Sequence, residues 1–235
     1  MRVLLIVLVV LALLALPCAS WTQNHPKHIV KPWVTKYKGA TFLVVQLPRC
    51  NHVEAVISYE PGGEKKERAK KRLGGFAVCS GNFYDCRTNL PVDYFRRNGV
   101  KVKGREVGRY FLAIHPDGRI NLSQDYQLLN KNKEIDAVAL GQMIKPFRYD
   151  GFKTVFIDAE TDRMGMGFTS GYIYIVQSRT NIRTLASFFA NVLKCDEAIN
   201  TDGGHVVKGK SPFHIVFRWH KAPKNITAVT KPPKQ

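Results

Sequence analysis

Apolar positions along this chain fall mostly into short runs of strand length, separated by glycine, proline and polar turns. "ATFLVVQLP" is a compact β-rich run bounded by Gly39 and Pro48, which predicts a buried strand. "VEAVISYE" predicts a second. "GEKKERAKKRLGG" is rich in strong helix formers and closes on Gly74-Gly75, a helix stop. "FAVCSGNFYD" follows as a strand running into a Gly-Asn bend. From Gly99 to Leu122 apolar and polar residues alternate, and Pro116-Asp117-Gly118 predicts a hairpin turn between "RYFLAI" and "RINL". Further on, "KTVFIDAE" and "SGYIYIVQS" read as strands flanking a glycine-punctuated loop, "TDRMGMGFT". The clearest helix is "TNIRTLASFFANVLK": Ile182, Leu185, Phe188, Phe189, Val192 and Leu193 fall on one face, and Thr180 or Asn181 is placed to cap it. "EAINTDGG" and "HIVFRW" complete the strands. Many strands with helices interspersed, out of strict alternation, predict an α+β domain with a mixed, mainly antiparallel sheet and two or more packed helices.

The two ends change the picture. Arg2 precedes an unbroken apolar run from Val3 to Leu16, followed by Pro17, Cys18, Ala19 and Ser20. That pattern is a secretory signal, too short to span a bilayer comfortably, with cleavage expected after Ala19 or Ser20. An uncleaved anchor and a lipoprotein acylated at Cys18 are the alternatives, and Pro17 argues against the second. The expected organisation is a signal over residues 1–20, a polar leader over 21–38, one domain over 39–220 and a basic disordered tail over 221–235. The protein is therefore expected to be secreted or periplasmic, with no membrane span once the signal is removed.

The formal net charge is +18, from 36 Lys+Arg against 18 Asp+Glu. Such a surface attracts anions: phosphates, acidic polysaccharide, anionic lipid or nucleic acid. Part of it is dense lysine in "GEKKERAKKRLGG" and the tail, outside any expected pocket. Nucleic acid is disfavoured by export and by the lack of an aromatic-interleaved basic motif. Beyond Cys18 four cysteines remain, Cys50, Cys79, Cys86 and Cys195, an even set in an oxidising compartment. Disulfides are expected. Three connectivities are open, with Cys79–Cys86 and Cys50–Cys195 the favoured pairing. No spacing among these residues suggests zinc.

Three segments carry a resemblance. "SGNFYD" follows a helix and a strand, "DRMGMG" leads to "GYIYIV", and an amphipathic helix leads to "EAINTDGG". In order and spacing they resemble the phosphodiester glycosidase family (domain of unknown function 2233), as a divergent member. The family's best-known member removes N-acetylglucosamine from a phosphodiester. In that family the segments read like N-G-G-F-F, R-x-x-x-G and N-L-D-G-G-G-S. Here Arg163 and Gly167 keep the second pattern, and Asn200, Asp202, Gly203 and Gly204 keep the third. Ser80 and Asn82 depart from the first, while Thr201, His205 and Val206 depart from the third. The resemblance spans roughly residues 40–219.

It implies an exported hydrolase of a glycosyl phosphodiester, acting on cell-envelope glycans. Such chemistry needs a phosphate clamp, a proton donor or acceptor, and a sheltered cleft. Arginine suits the clamp because its planar fork can contact two phosphate oxygens, which makes Arg163 the first candidate and Arg109 the second. Asp202 is the candidate carboxylate, since the amides of Gly203 and Gly204 can turn toward an anion without obstruction by a Cβ. His205 is a candidate acid–base group near neutral pH. Ser80 and Asn82 are candidate ligands for sugar or phosphate. A second carboxylate is expected of a glycosidase, and Asp85, Asp158, Glu160 and Asp162 are all open for it. No role is assigned to His214 or His220. No cofactor is expected, a divalent cation staying open. The alternative is a catalytically degenerate relative that binds anionic polysaccharide.

Overall fold

The computed structural model describes residues 32–50, 52–103, 110–139, 142–143 and 154–220, with side chains of Lys103, Gln142, Met143, His205 and Val206 outside the description. The expected signal, most of the leader and the basic tail lie outside these residues, as does Arg109. The described residues form three antiparallel sheets with four short helices, the α+β architecture expected from the pattern.

The first sheet has six strands. β1 (Trp33–Tyr37) pairs with β2 (Ala40–Pro48), and β2 pairs with β12 (Tyr172–Thr180). β12 pairs with β11 (Thr161–Phe168), which pairs with β13 (Glu197–Thr201), and β10 (Gln142–Met143) closes the far edge. β1 corrects the expected leader boundary: Trp33 and Tyr37 are half-buried and pack against the core, so the ordered sheet starts before residue 39. The second sheet sets β14 (Lys210–Trp219) between β3 (Val53–Lys65) and β4 (Ala77–Ser80). The third runs β6 (Val100–Lys103), β5 (Phe95–Arg97), β9 (Asp136–Ala139), β7 (Phe111–Ile114) and β8 (Ile120–Ser123). The β7–β8 hairpin turns where Pro116-Asp117-Gly118 predicts it, with Gly118 at φ +81°. That backbone conformation needs glycine there. A Cβ at Gly118 would also lie 2.4 Å from the Cβ of Glu54.

Four helices connect the sheets. α1 (Lys66–Arg72) is shorter than the 63–75 run suggested, because residues up to Lys65 belong to β3. α2 (Tyr126–Lys131) and α3 (Thr154–Asp158) are one to two turns long. α4 (Ile182–Asn191) is the strongly amphipathic helix, and the Asn181 side chain caps it by accepting from the Thr184 N–H at 2.8 Å. Ile182, Leu185, Phe188 and Phe189 are fully buried, and Phe188 stacks on Phe42 of β2 with ring centroids 4.0 Å apart. Val192 lies just beyond the helix and is exposed, contrary to the expected apolar face.

The largest departure lies between residues 153 and 169. The expected strand "KTVFIDAE" is in part the short helix α3, and the expected loop "TDRMGMGFT" is β11, an interior strand of the first sheet. Its glycines are there because α4 packs on the sheet at that point. A Cβ at Gly167 would lie 2.4 Å from Phe189 Cδ1 and 2.6 Å from Cys195 Sγ, and one at Gly165 would lie 2.9 Å from the Ile199 carbonyl oxygen. Glycine inside a strand often marks such close approach. Gly167→Ala is accordingly expected to cost about 1–3 kcal/mol in chemical denaturation, the ordinary range for overpacking a core.

Neither expected disulfide is formed. Cys79 is buried with its thiol 3.5 Å from Thr201 Oγ1, whereas Cys86 is exposed. Cys195 is buried in the core under α4, and Cys50 is exposed. Burial pushes the Cys79 thiol up to about 12, so it behaves as a small apolar side chain with a weak hydrogen bond. Asn121 sits in β8, where its Oδ1 lies 2.7 Å from His115 Nε2. Among the described residues no helix is long and apolar enough to cross a membrane.

Candidate functional site

The three segments read as a group in the sequence converge at one place: the end of β4, the start of β11 and the end of β13. Pairing sets Gly165 opposite Asn200 and Met164 opposite Thr201. Side chains alternate across a strand, so the two faces of the sheet carry different sets. Gly165 and Gly167 face α4, and Arg163 shares that face by its spacing along β11. Met164 and Thr201 face β4.

On the β4 side, Ser80 joins the segments. Its N–H donates to Met164 Sδ at 3.2 Å, and its hydroxyl lies 3.1 Å from Thr201 Oγ1 and donates to the Asp202 carbonyl. One residue on, the Gly81 carbonyl accepts from the Asp202 N–H at 3.2 Å. Ser80 is 0% exposed. With its hydroxyl committed to Thr201 and to the Asp202 carbonyl, it braces the Asp202 loop, where the sequence expected a contact to sugar or phosphate. Ser80→Ala would leave a buried carbonyl without its side-chain donor. The expected loss is about 1–3 kcal/mol of stability, measurable by urea denaturation.

The Asp202-Gly203-Gly204 stretch is not a hairpin turn. β13 stops at Thr201, and a 3₁₀ turn (Gly204–Val207) begins directly after it. Gly203 is pressed on the start of β11: a Cβ there would lie 2.6 Å from the Asp162 carbonyl oxygen and 3.4 Å from Arg163 Cα. The backbones of Arg163 and Asp202 are thereby brought together. Their charged groups are not paired. Arg163 is 2% exposed, and its Nη2 donates to the carbonyls of Phe156 (2.6 Å) and Ala159 (3.1 Å) at the end of α3. Its guanidinium carbon lies 4.4 Å from the centre of the Phe156 ring. Burial lowers its pKa to about 10, so it remains a cation at neutral pH.

Asp202 carries the most unusual carboxyl in this region. Burial raises its pKa to about 7, against a smaller opposing effect from a hydrogen bond with the Gly203 backbone. Tyr84 lies within the field of this carboxyl; burial, and next the Asp202 charge, push its hydroxyl up to about 12. Three buried polar atoms around the junction have no hydrogen-bond partner: Arg163 Nε, Asn82 Oδ1 and Asn200 Oδ1. Asn82 otherwise donates to the Asp93 carbonyl at 3.3 Å. Each belongs to a residue within two positions of the Gly81, Arg163 or Asp202 backbone, and orphaned buried groups of this kind are uncommon in a finished protein interior.

The four candidates for a second carboxylate separate clearly. Asp85 accepts from the Arg87 N–H at 2.8 Å in its own loop, Asp158 pairs with Arg183 at 2.6 Å, and Glu160 is exposed. Asp162 alone adjoins the junction, through the backbone contact with Gly203, and its carboxylate pairs with Lys208 at 3.1 Å. His205 lies in the 3₁₀ turn, its side chain outside the described residues. His214, which the sequence gave no reason to single out, is the cross-strand partner of Ser80. It is 0% exposed, and Nε2 donates to the Glu64 carbonyl at 3.0 Å while Nδ1 has no partner. Burial, the largest influence, lowers its pKa and keeps the ring neutral. The available signal was the continuous apolar run Ile215-Val216-Phe217 beside it, the mark of a strand buried on both faces.

No protein-family model matches this chain, and no curated protein sequence does. Solved structures do share its fold. The zebrafish N-acetylglucosamine-1-phosphodiester alpha-N-acetylglucosaminidase catalytic domain, in a form auto-inhibited by its pro-peptide, superposes with a TM-score of 0.60 at 16% identity, covering 84% of this chain and 85% of that one. A hypothetical protein from Synechocystis superposes with a TM-score of 0.65 at 10% identity, covering 80% of this chain and 61% of that one. At these identities the likeness is one of fold.

Proposed function

We propose that this protein is a hydrolase of a glycosyl phosphodiester, exported and acting on cell-envelope glycans, with Asp202 as the proton-donating group. The observation that carries the reading is the Asp202 carboxyl: half-buried at the meeting point of three segments, unpaired with any cation among the described residues, and raised to about 7. A carboxyl with that pKa is substantially protonated near neutrality, as a general acid must be if it is to protonate the oxygen leaving the sugar. Arg163 supplies a fixed positive charge whose unpartnered Nε is available to a phosphate oxygen. Asn82 and Asn200 are as buried as Ser80, but their carbonyl oxygens, unlike its hydroxyl, have no partner within the protein, which leaves them to a sugar hydroxyl. Asp162 is the second carboxylate of the pair. Arg109 and His205 remain proposed contributors from outside the described side chains. The reading invokes no cofactor. The solved structure of similar fold with a phosphodiester glycosidase name supports the reaction class.

A second reading has a specific observation behind it. Two of the four candidate carboxylates are tied up away from the junction and Glu160 is exposed, while Asp162 is already salt-bridged. A chain lacking a working pair would bind anionic polysaccharide without cleaving it. Incubating the purified protein with a panel of sugar-1-phosphodiesters and measuring released sugar separates the two. Product release that scales with enzyme supports the hydrolase, and salt-sensitive glycan binding with no product supports the binding protein.

A further inference from the structure

One cavity lies away from the junction. It holds about 560 Å³ and opens between the β7–β8 hairpin, the start of β3 and the turn joining β11 to β12. Ile173, its wall on β12, is the register partner of Phe168, whereas Arg163 lies five residues back along β11. That is roughly 16 Å of strand. The cavity and the Asp202 junction therefore sit at opposite ends of the same strand pair.

Its chemistry is two-sided. Ile120, Ile173 and Phe217 are buried apolar walls, while Arg49, Arg119 and Asn121 stand at the polar side. Arg119 is paired with Asp117 at 2.6 Å. Glu54, behind Gly118, is paired with Arg218 and with His220 at 2.8 Å. Arg49 differs: it donates to the Thr169 carbonyl at 3.1 Å and lies over the Phe168 ring, and among the described residues no carboxylate pairs with it. An apolar hollow of this volume with one uncompensated guanidinium at its edge matches the usual make-up of a small-molecule pocket.

We infer that this cavity binds a small amphiphilic anion, one carboxylate or phosphate head on an apolar body, with the head at Arg49 and the body against Ile120, Ile173 and Phe217. The inference does not rest on the proposed hydrolase activity. The head would take charge-assisted hydrogen bonds from the guanidinium. The body would be removed from water against the walls.

Calorimetric titration of the full chain with octanoate tests it, with acetate as the head alone, 1-octanol as the body alone and octyl phosphate as the alternative head. Octanoate or octyl phosphate is expected to saturate one site, with acetate and 1-octanol at least tenfold weaker. Arg49→Ala, on an exposed side chain, should weaken octanoate about tenfold and leave 1-octanol unchanged. Ser170→Trp, on the exposed turn at the mouth, should block both amphiphiles. Equal binding of octanoate and 1-octanol, an unchanged affinity in Arg49→Ala, or no saturable binding up to millimolar ligand in protein shown folded by circular dichroism would overturn it.

Discussion

Replacing Asp202 with Asn is expected to lower kcat for sugar phosphodiester hydrolysis by about two to four orders of magnitude, the usual contribution of a positioned proton donor. The same change should make the protein more stable above neutral pH. The sign follows from burial. The folded-state pKa of Asp202 is raised to about 7, so folding favours the protonated carboxyl. Stability from this group is fully present below its unfolded pKa of about 4. It falls as pH rises, and is lost once pH passes the folded value near 7. Wild type above pH 7 therefore carries a penalty on the order of 4 kcal/mol that the amide lacks. Urea denaturation of both proteins from pH 5 to 8 measures it: the curves should separate as pH rises, with the variant the more stable. A group that stabilises the fold less than its neutral isostere, and is retained at a strand end, fits the general pattern in which functional sites cost stability.

Arg163→Ala is expected to be the most damaging single substitution to folding, by about 3–5 kcal/mol. It leaves the carbonyls of Phe156 and Ala159 without their donor, at roughly 1–3 kcal/mol each, and removes the guanidinium from the Phe156 ring. It also vacates the volume of a side chain that is 2% exposed. Arg163→Lys should recover part of the stability, because an ammonium can reach one carbonyl but lacks the fork that spans both. The measurement is the denaturation midpoint of each variant beside its kcat and KM. If Arg163 also contacts phosphate, Arg163→Lys should raise KM by more than its stability loss explains. An unchanged KM in folded Arg163→Lys would confine the residue to holding α3.

What the sequence showed and what it hid have physical reasons. β2 was legible because Gly39 and Pro48 bracket a continuous apolar run, and α4 because its apolar stripe follows a good capping residue, Asn181. The Pro116-Asp117-Gly118 turn was legible from local chemistry. Residues 153–169 were inverted for a reason no local rule holds. β-Branched and aromatic residues in "TVFID" favour a strand, yet that segment forms a helix whose end is held by Arg163, nearer its own β11. The glycines of "DRMGMGF" look like a loop until Phe189 and Cys195 are seen to occupy the space a Cβ would need. The expected disulfides failed similarly, since an even cysteine count says nothing about whether two side chains meet: Cys79 points at Thr201.

At the junction, convergence of Ser80, Arg163 and Asp202 was readable only through the family resemblance, because they are separated by long stretches of chain. Their individual duties were not readable at all. Ser80 braces a backbone carbonyl, Arg163 commits two hydrogen bonds to α3, and the Asp202 carboxyl has no cation beside it among the described residues. Asn200, two positions before Asp202, was visible as part of the resemblance, but its unpartnered oxygen needed the fold.

The most direct measurement is a carbon-13 titration of the Asp202 carboxyl, assigned by comparison with Asp202→Asn, beside the pH dependence of kcat/KM on a sugar-1-phosphodiester. A midpoint near 7 is expected, with kcat/KM declining as pH rises through the same value, because the protonated form is the one that acts. A midpoint near 4, or hydrolysis that survives Asp202→Asn unchanged, would contradict a proton donor at this position.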